Sequence, residues 1–257
     1  MSRVLVTGST TGLGKATAAA LLDDGHHVIV HARNTRRAGD VDDLVARGSD
    51  LVVGDLSIRA DVVSIADQVN SLGSLDAVVH NAGVYVDRER VETPDGHAQV
   101  LAVNVLAPYL LTALVGRPRR LVYLSSGMHR DGDTSLRDLD WLDRRWNGVQ
   151  AYCDSKLYVT TLAAAIARRW PAVHANAVDP GWVPTRMGGP SASDDLTLGH
   201  VTQTWLAVSD EPAATTSGRY WFHQQPEQPA SAVGDVDFQV TLLEQLAQRT
   251  GIELPET

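Results

Sequence analysis

Apolar residues fall along this chain in short continuous runs separated by longer stretches of helical period. The runs Val4–Thr7, His27–His31, Leu51–Val53, Leu75–His80, Leu121–Ser125 and Val173–Val178 predict strands. Leu13–Asp23, Ala60–Leu72, His97–Val115 and Val149–Arg169 predict helices, and Val41–Arg47 a short one. In the second of these, Val62, Ile65, Ala66 and Val69 recur at helical spacing. Continuous apolar strands, each followed by a helix, mean a parallel sheet covered on both faces. Right-handed crossovers then give a doubly wound α/β fold. Two irregular segments, 127–147 and 181–194, follow strand ends, where such sheets place substrate loops. Gln224–Ala230 is rich in Gln and Pro and reads as a surface loop.

Charge and cysteine usage narrow the function classes. The 257 residues carry 22 Lys and Arg against 31 Asp and Glu, a net charge of −9. That balance argues against a nucleic-acid surface but leaves room for a small cation site. The one cysteine, Cys153, excludes an intrachain disulfide and fits a reducing cytoplasm. No secretory pattern precedes the first strand, so a cytoplasmic protein is expected. The most apolar stretch, Ala98–Val115, contains Gln99, Asn104 and Pro108, which predicts a buried helix and no membrane span. Scattered His and Asp residues show no metal-ligand spacing, so no metal is expected.

The first strand runs into Thr7-Gly8-Ser9-Thr10-Thr11-Gly12-Leu13-Gly14 and then a helix. Glycines allow positive φ and close approach of the main chain, and the helix start offers free N–H groups to a pyrophosphate. The spacing is not G-x-G-x-x-G; the plainer alternative is an ordinary strand-to-helix turn. After the second strand comes Ala32-Arg33-Asn34, with no acidic residue between His26 and Gly39 to accept from an NAD ribose. Arg33 instead suits a 2′-phosphate, so NADP(H) is expected, with Lys15 a further cation. Arg36 and Arg37 read as a solvated loop.

Tyr152 and Lys156 lie four apart on the longest helix, on one face. An ammonium beside a phenol favours the phenolate and lowers a pKa otherwise near 10. Alone the pair is a weak motif, but it follows a strand ending in Leu124-Ser125-Ser126. A serine there can donate to a carbonyl oxygen as charge develops. Asn104, inside an apolar helix, needs a partner and could equally be a satisfied core amide.

Taken in order, Thr7–Gly14, Gly54-Asp55-Leu56, Asn81-Ala82-Gly83, Asn104, Ser126, Tyr152-x-x-x-Lys156 and Asp179-Pro180-Gly181 resemble the short-chain dehydrogenase/reductase family over nearly the whole chain. The long interval from Ser126 to Tyr152 is similar to that of its retinol-dehydrogenase-like and carbonyl-reducing branches. The resemblance implies one Rossmann-type, NADP-binding domain over 1–257. It implies catalytic Tyr152, Lys156, Ser126 and Asn104, with Asn104 holding a water that relays protons from Lys156. Ser125 is the alternative to Ser126. Cofactor contacts would come from Gly8, Ser9, Thr10, Thr11, Gly12, Leu13, Gly14, Arg33 and Asn34. Asp55 and Leu56 would lie against the adenine, Asn81, Ala82 and Gly83 along the cofactor, and Pro180, Gly181, Val183 and Thr185 at the nicotinamide. His80 stands where asparagine is frequent, with little effect expected. The implied reaction interconverts a carbonyl and an alcohol. Trp141, Trp146, Trp182, Met187 and Tyr85 could line a pocket for a lipophilic or aromatic substrate, or simply pack their loops. Members often pair through the tyrosine-bearing helix, which implies a homo-oligomer and gives Ala163, Ala164, Ala165 and Ala167 a reason. Non-redox chemistry on the same scaffold, or an NADPH-binding regulator without turnover, are the competing readings.

Overall fold

A computed structural model describes residues 1–86 and 88–256. Strands β1 (Arg3–Val6), β2 (His27–Ala32), β3 (Asp50–Val53), β4 (Ala77–His80), β5 (Arg120–Leu124), β6 (His174–Asp179), β7 (Tyr220–Phe222) and β8 (Gln225–Glu227) form one sheet. Its order is β3-β2-β1-β4-β5-β6-β7-β8. Neighbours pair in parallel from β3 through β7, and β8 is antiparallel on the edge. The order reverses direction between β1 and β4, as a doubly wound sheet requires.

The helices are α1 (Gly12–Asp23), α2 (Thr35–Ala38), α3 (Asp42–Ala46), α4 (Arg59–Ser71), α5 (Gln99–Leu101), α6 (Ala107–Leu114), α7 (Gly148–Arg169), α8 (Val201–Val208) and α9 (Val236–Thr250). Strand side chains alternate between the sheet's faces. Leu5, Ile29, Val78 and Leu121 join the core under α4, α6, α7 and α9. Val4, Val6, Val28 and Val30 pack on the other face with Leu21 of α1, Leu44 of α3 and Leu206 of α8.

Three expectations are corrected. The helix predicted over His97–Val115 is split: α5 and α6 flank a π-helical turn, Ala102–Leu106. Pro108 has no N–H to return to the carbonyl of Asn104, four residues earlier, and a wider turn accommodates that loss. Part of Gln224–Ala230 is strand: Gln225–Glu227 is β8, and Pro226 sits on the edge, where a missing donor costs no ladder bond. Segment 127–147 is no open loop, since Leu136, Leu139 and Trp141 are buried in it. Ala163 and Ala165 are buried in the chain's own core, and Ala164 and Ala167 pack against it. Among the described residues, no helix is long and apolar enough to cross a membrane, and no cluster of His, Cys, Asp or Glu could hold a metal ion.

Candidate active site

The carboxyl ends of β1, β4, β5 and β6 meet where the winding reverses, and the sequence motifs gather there. The glycine turn is pinned to β4: Asn81 Nδ2 donates to the Thr7 carbonyl at 2.9 Å, and the Ala82 N–H to Thr7 Oγ1 at 3.0 Å. Gly8 and Gly12 have φ of +68° and +56°. A Cβ on Gly14 would come within 2.4 Å of both Asn81 Nδ2 and the Gly8 carbonyl oxygen, so only glycine lets α1 start this close to the sheet. The first N–H groups of α1 have no partner within the helix and form a place for a pyrophosphate.

Several expected contacts are partly spent on the protein itself. Ser9 is fully buried; its N–H donates to the His31 carbonyl, and its hydroxyl donates to the Val6 carbonyl and accepts from the His31 N–H. Asn34 caps α2 by accepting from the Arg37 N–H at 3.0 Å. That cap turns Arg37 back to the glycine turn, where its guanidinium donates to Thr10 Oγ1 at 3.0 Å. Arg33 lies 3.9 Å from Asp55 with 55 % of its side chain exposed. Asp55 Oδ1 also holds the Ser57 N–H and hydroxyl, and Leu56 is buried beside it. Arg37 thus stands against the glycine turn, and Arg33 beside Asp55. Lys15 is turned away, with its ammonium on Asp43 at 2.7 Å and on the Asp40 carbonyl.

Tyr152 and Lys156 share a face of α7, with the ammonium 5.4 Å from the phenol ring centre. Lys156 is buried and donates to the Leu124 carbonyl at 2.7 Å. Burial lowers its pKa to about 8, while Asp179 at the end of β6 pulls the other way. The Tyr152 phenol is pushed above its ordinary value by burial and then by Asp179, and the Ser126 hydroxyl opposes them. The expected lowering of the phenol's pKa is therefore not seen, because burial and Asp179 carry it the other way. A protonated phenol beside a serine hydroxyl can deliver a proton to an oxygen held between them.

The two serines part company. Ser125 is buried, and its hydroxyl shares a bond with that of Thr160 on α7. Ser126 is half-buried and faces the phenol. Asn104 uses the π-helical turn to brace the β4 loop: its Oδ1 accepts from the Val84 N–H at 2.8 Å. Its Nδ2 donates to the Val84 carbonyl and the Ser155 hydroxyl, each at 3.0 Å. A Cβ on Gly83 would lie 3.5 Å from Asn104 Oδ1 and 3.6 Å from Lys156 Nζ, so the three residues meet at one point.

Segment 181–194 spans the whole site. The Pro180-Gly181 turn is held by Asp179 Oδ1, which accepts from the Gly181 N–H, and by Asp194, which accepts from the Trp182 N–H. Thr185 lies over Gly12, and Val183 and Leu13 both crowd Gly199. Met187 Sδ is 4.0 Å from the Tyr152 hydroxyl. Tyr85 meets the Tyr152 ring edge-on at 5.6 Å, while Trp182 and Met187 are about half exposed. Trp141 and Trp146 instead pack against each other at 5.5 Å, away from this opening in their contacts. His129, in the 127–147 segment, is fully buried: its Nδ1–H donates to the Ser126 carbonyl, and its Nε2 accepts from the Ala230 N–H.

A family model described as enoyl-(acyl carrier protein) reductase matches residues 8–207. The short-chain dehydrogenase chry4 of Gibberella zeae is 36 % identical over 99 % of this chain and 99 % of its own. The chain belongs to the short-chain dehydrogenase/reductase family. Human retinol dehydrogenase 13 is 29 % identical over 98 % of this chain and 85 % of its own. A crystal structure of an uncharacterized Mycobacterium paratuberculosis protein superposes with a TM-score of 0.84 at 26 % identity, covering 99 % of this chain and 95 % of that one. Members of this family are oxidoreductases that use a nicotinamide cofactor and act on small molecules, and the glycine cradle and its cations fit such a cofactor.

Arg37, His31 and Asp179 were missed as site residues in the sequence. Arg37 had a signal, because Asn34 three residues earlier is a strong N-cap. His31 stood out only as a polar residue in an apolar strand. Nothing in the sequence placed the Asp179 carboxylate near Tyr152.

Proposed function

We propose that this protein reduces a lipophilic or aromatic ketone or aldehyde to the alcohol, and runs the reverse reaction, with NADPH as cofactor. The observation that carries the reading is the convergence of the Tyr152 phenol, Ser126 and Lys156 beneath a segment that also covers the glycine turn. Bound NADPH would supply the hydride. Ser126 would donate to the substrate oxygen and orient it, and Tyr152 would deliver the proton as negative charge builds there. Lys156, fixed on the Leu124 carbonyl, would hold the nicotinamide ribose and keep positive charge beside the phenol. Asn104 would brace the β4 loop around Lys156. Gly8–Gly14, Asn81–Gly83 and Pro180–Thr185 would line the dinucleotide, with Arg33 and Arg37 on its 2′-phosphate. Tyr85, Trp182 and Met187 would form the apolar mouth.

The test is NADPH consumption with a panel of lipophilic ketones and aldehydes, with the alcohol product identified. Tyr152→Phe is expected to bind NADPH normally and turn over about 10²–10⁴-fold more slowly. Undiminished turnover by that variant contradicts the assigned role, and products without net redox change contradict the reaction.

A further inference from the structure

His31 is the only ionisable side chain within β2 apart from His27 at its start, and its ring is 3 % exposed. It lies between two backbone groups at the adenosine side of the cradle. The Gly8 N–H donates to Nδ1 at 3.0 Å, and Nε2 meets the Gly54 carbonyl at 2.9 Å. A carbonyl can only accept, so Nε2 carries the proton and Nδ1 keeps its lone pair. Both bonds are satisfied by one neutral tautomer. Protonation of Nδ1 would set two donors against each other at Gly8. Burial favours the neutral ring and lowers its pKa; Asp55 is the charged group opposing this.

The His31 main chain grips the same turn: its N–H donates to the Ser9 hydroxyl, and its carbonyl accepts from the Ser9 N–H. The glycine turn is therefore clamped from β4 by Asn81 and Ala82 and from β2 by His31. The second clamp fixes Gly8 at its positive φ and also ties it to Gly54, next to Asp55. One ring thus sets the spacing between the pyrophosphate turn and the adenine-side turn.

Resting on the cofactor reading above, we infer that His31 is a positioning residue for the dinucleotide: as the Nε2–H tautomer it locks the Gly8 turn to Gly54 in its binding geometry without touching the reacting atoms. The two ring nitrogens hold different partners, so the variants must separate them. His31→Asn places an acceptor near the Nδ1 position and keeps the Gly8 bond. His31→Gln places its polar group near Nε2 and keeps the Gly54 side. His31→Ala removes both.

NADPH affinity by fluorescence titration, steady-state kinetics and melting temperature would be measured on all four proteins. His31→Ala is expected to weaken NADPH binding about tenfold, the worth of a typical buried bond lost. Its kcat at saturating NADPH should stay within about twofold of the parent. His31→Asn should recover most of the affinity and His31→Gln little, whatever their melting temperatures. In the parent, a nitrogen-detected histidine spectrum should show His31 Nδ1 unprotonated. Unchanged affinity in His31→Ala overturns the inference, as does equal rescue by Asn and Gln, which marks a merely structural core residue. Should His31→Ala not fold, the Asn and Gln comparison decides alone. A parent that binds no dinucleotide overturns the cofactor reading first, whereas a parent that binds normally beside indifferent variants overturns only this inference.

Discussion

Arg33 and Arg37 both follow β2 but are held differently. Arg33 follows β2 directly and is weakly engaged, 3.9 Å from Asp55. Arg37 is brought back by the Asn34 cap and rests on Thr10 and Asp40. Two forked guanidiniums just after β2 suit a phosphate better than a ribose hydroxyl. A charge-assisted hydrogen bond is worth about 1.5–3 kcal/mol. Arg37→Ala is therefore expected to lower the preference for NADPH over NADH by about tenfold. Arg33→Asp should lower it further, because it adds an anion. Titration of both variants with both dinucleotides checks this, and a preference that survives both changes contradicts it.

Among the elements, segment 127–147 and α7 are bound by charge rather than by a greasy seam alone. Asp154 of α7 is buried, and Arg144 donates to its Oδ2 at 2.7 Å. The same guanidinium stacks on Trp141 at 3.6 Å and reaches Asp133 and the Asp138 carbonyl. Asp138 in turn accepts from the N–H groups of Leu142, Asp143 and Arg144, which holds its carboxyl below the usual range against the opposing effect of burial. Arg144→Ala would leave Asp154 buried without its cation, at a cost of about 3 kcal/mol. For a chain of this size that is a fall of roughly 6–12 °C in melting temperature. Thermal unfolding followed by circular dichroism tests this, and an unchanged melting temperature would rule the ion pair out as a support for α7. Since α7 carries Tyr152 and Lys156, some loss of turnover should accompany the loss of stability.

For the molecule as a whole, buried neutral histidines set the response to acid. His80 stacks on Tyr123 at 4.7 Å, and its Nε2 pairs with the Thr112 hydroxyl. Burial lowers its pKa to about 3 from an ordinary 6.5. The unfolded chain binds this proton below pH 6.5 while the native chain does so only near 3. The native advantage is therefore whole above 6.5 and shrinks as pH falls through that window. Each pH unit inside it costs about 1.4 kcal/mol for one such group. His80→Phe, which can keep the stack on Tyr123, should narrow the stability gap between pH 7 and pH 5 by about 2 kcal/mol. Urea unfolding at the two pH values checks it, and an unchanged gap would mean the ring titrates freely. His31 and His129 are buried with the same sign of shift and should leave part of the acid sensitivity in place.

What the sequence determined by itself is what period and local chemistry encode. Apolar runs located β1 to β6, and the helical period located α1, α4 and α7, because burial on two faces or one stripe must be written into consecutive residues. The Tyr152–Lys156 pair was legible because four residues make one helical turn. The tertiary structure decided what depends on distant segments meeting. It engaged the Ser125 hydroxyl with Thr160 of α7 and left the Ser126 hydroxyl on the side of the phenol. It turned Arg37 toward Thr10 and Lys15 away to Asp43. It brought Val84 and Ser155 to the Asn104 amide at the π-helical turn. It also moved the phenol's pKa upward, because desolvation and the Asp179 carboxylate act through space, and no spacing in the chain records either.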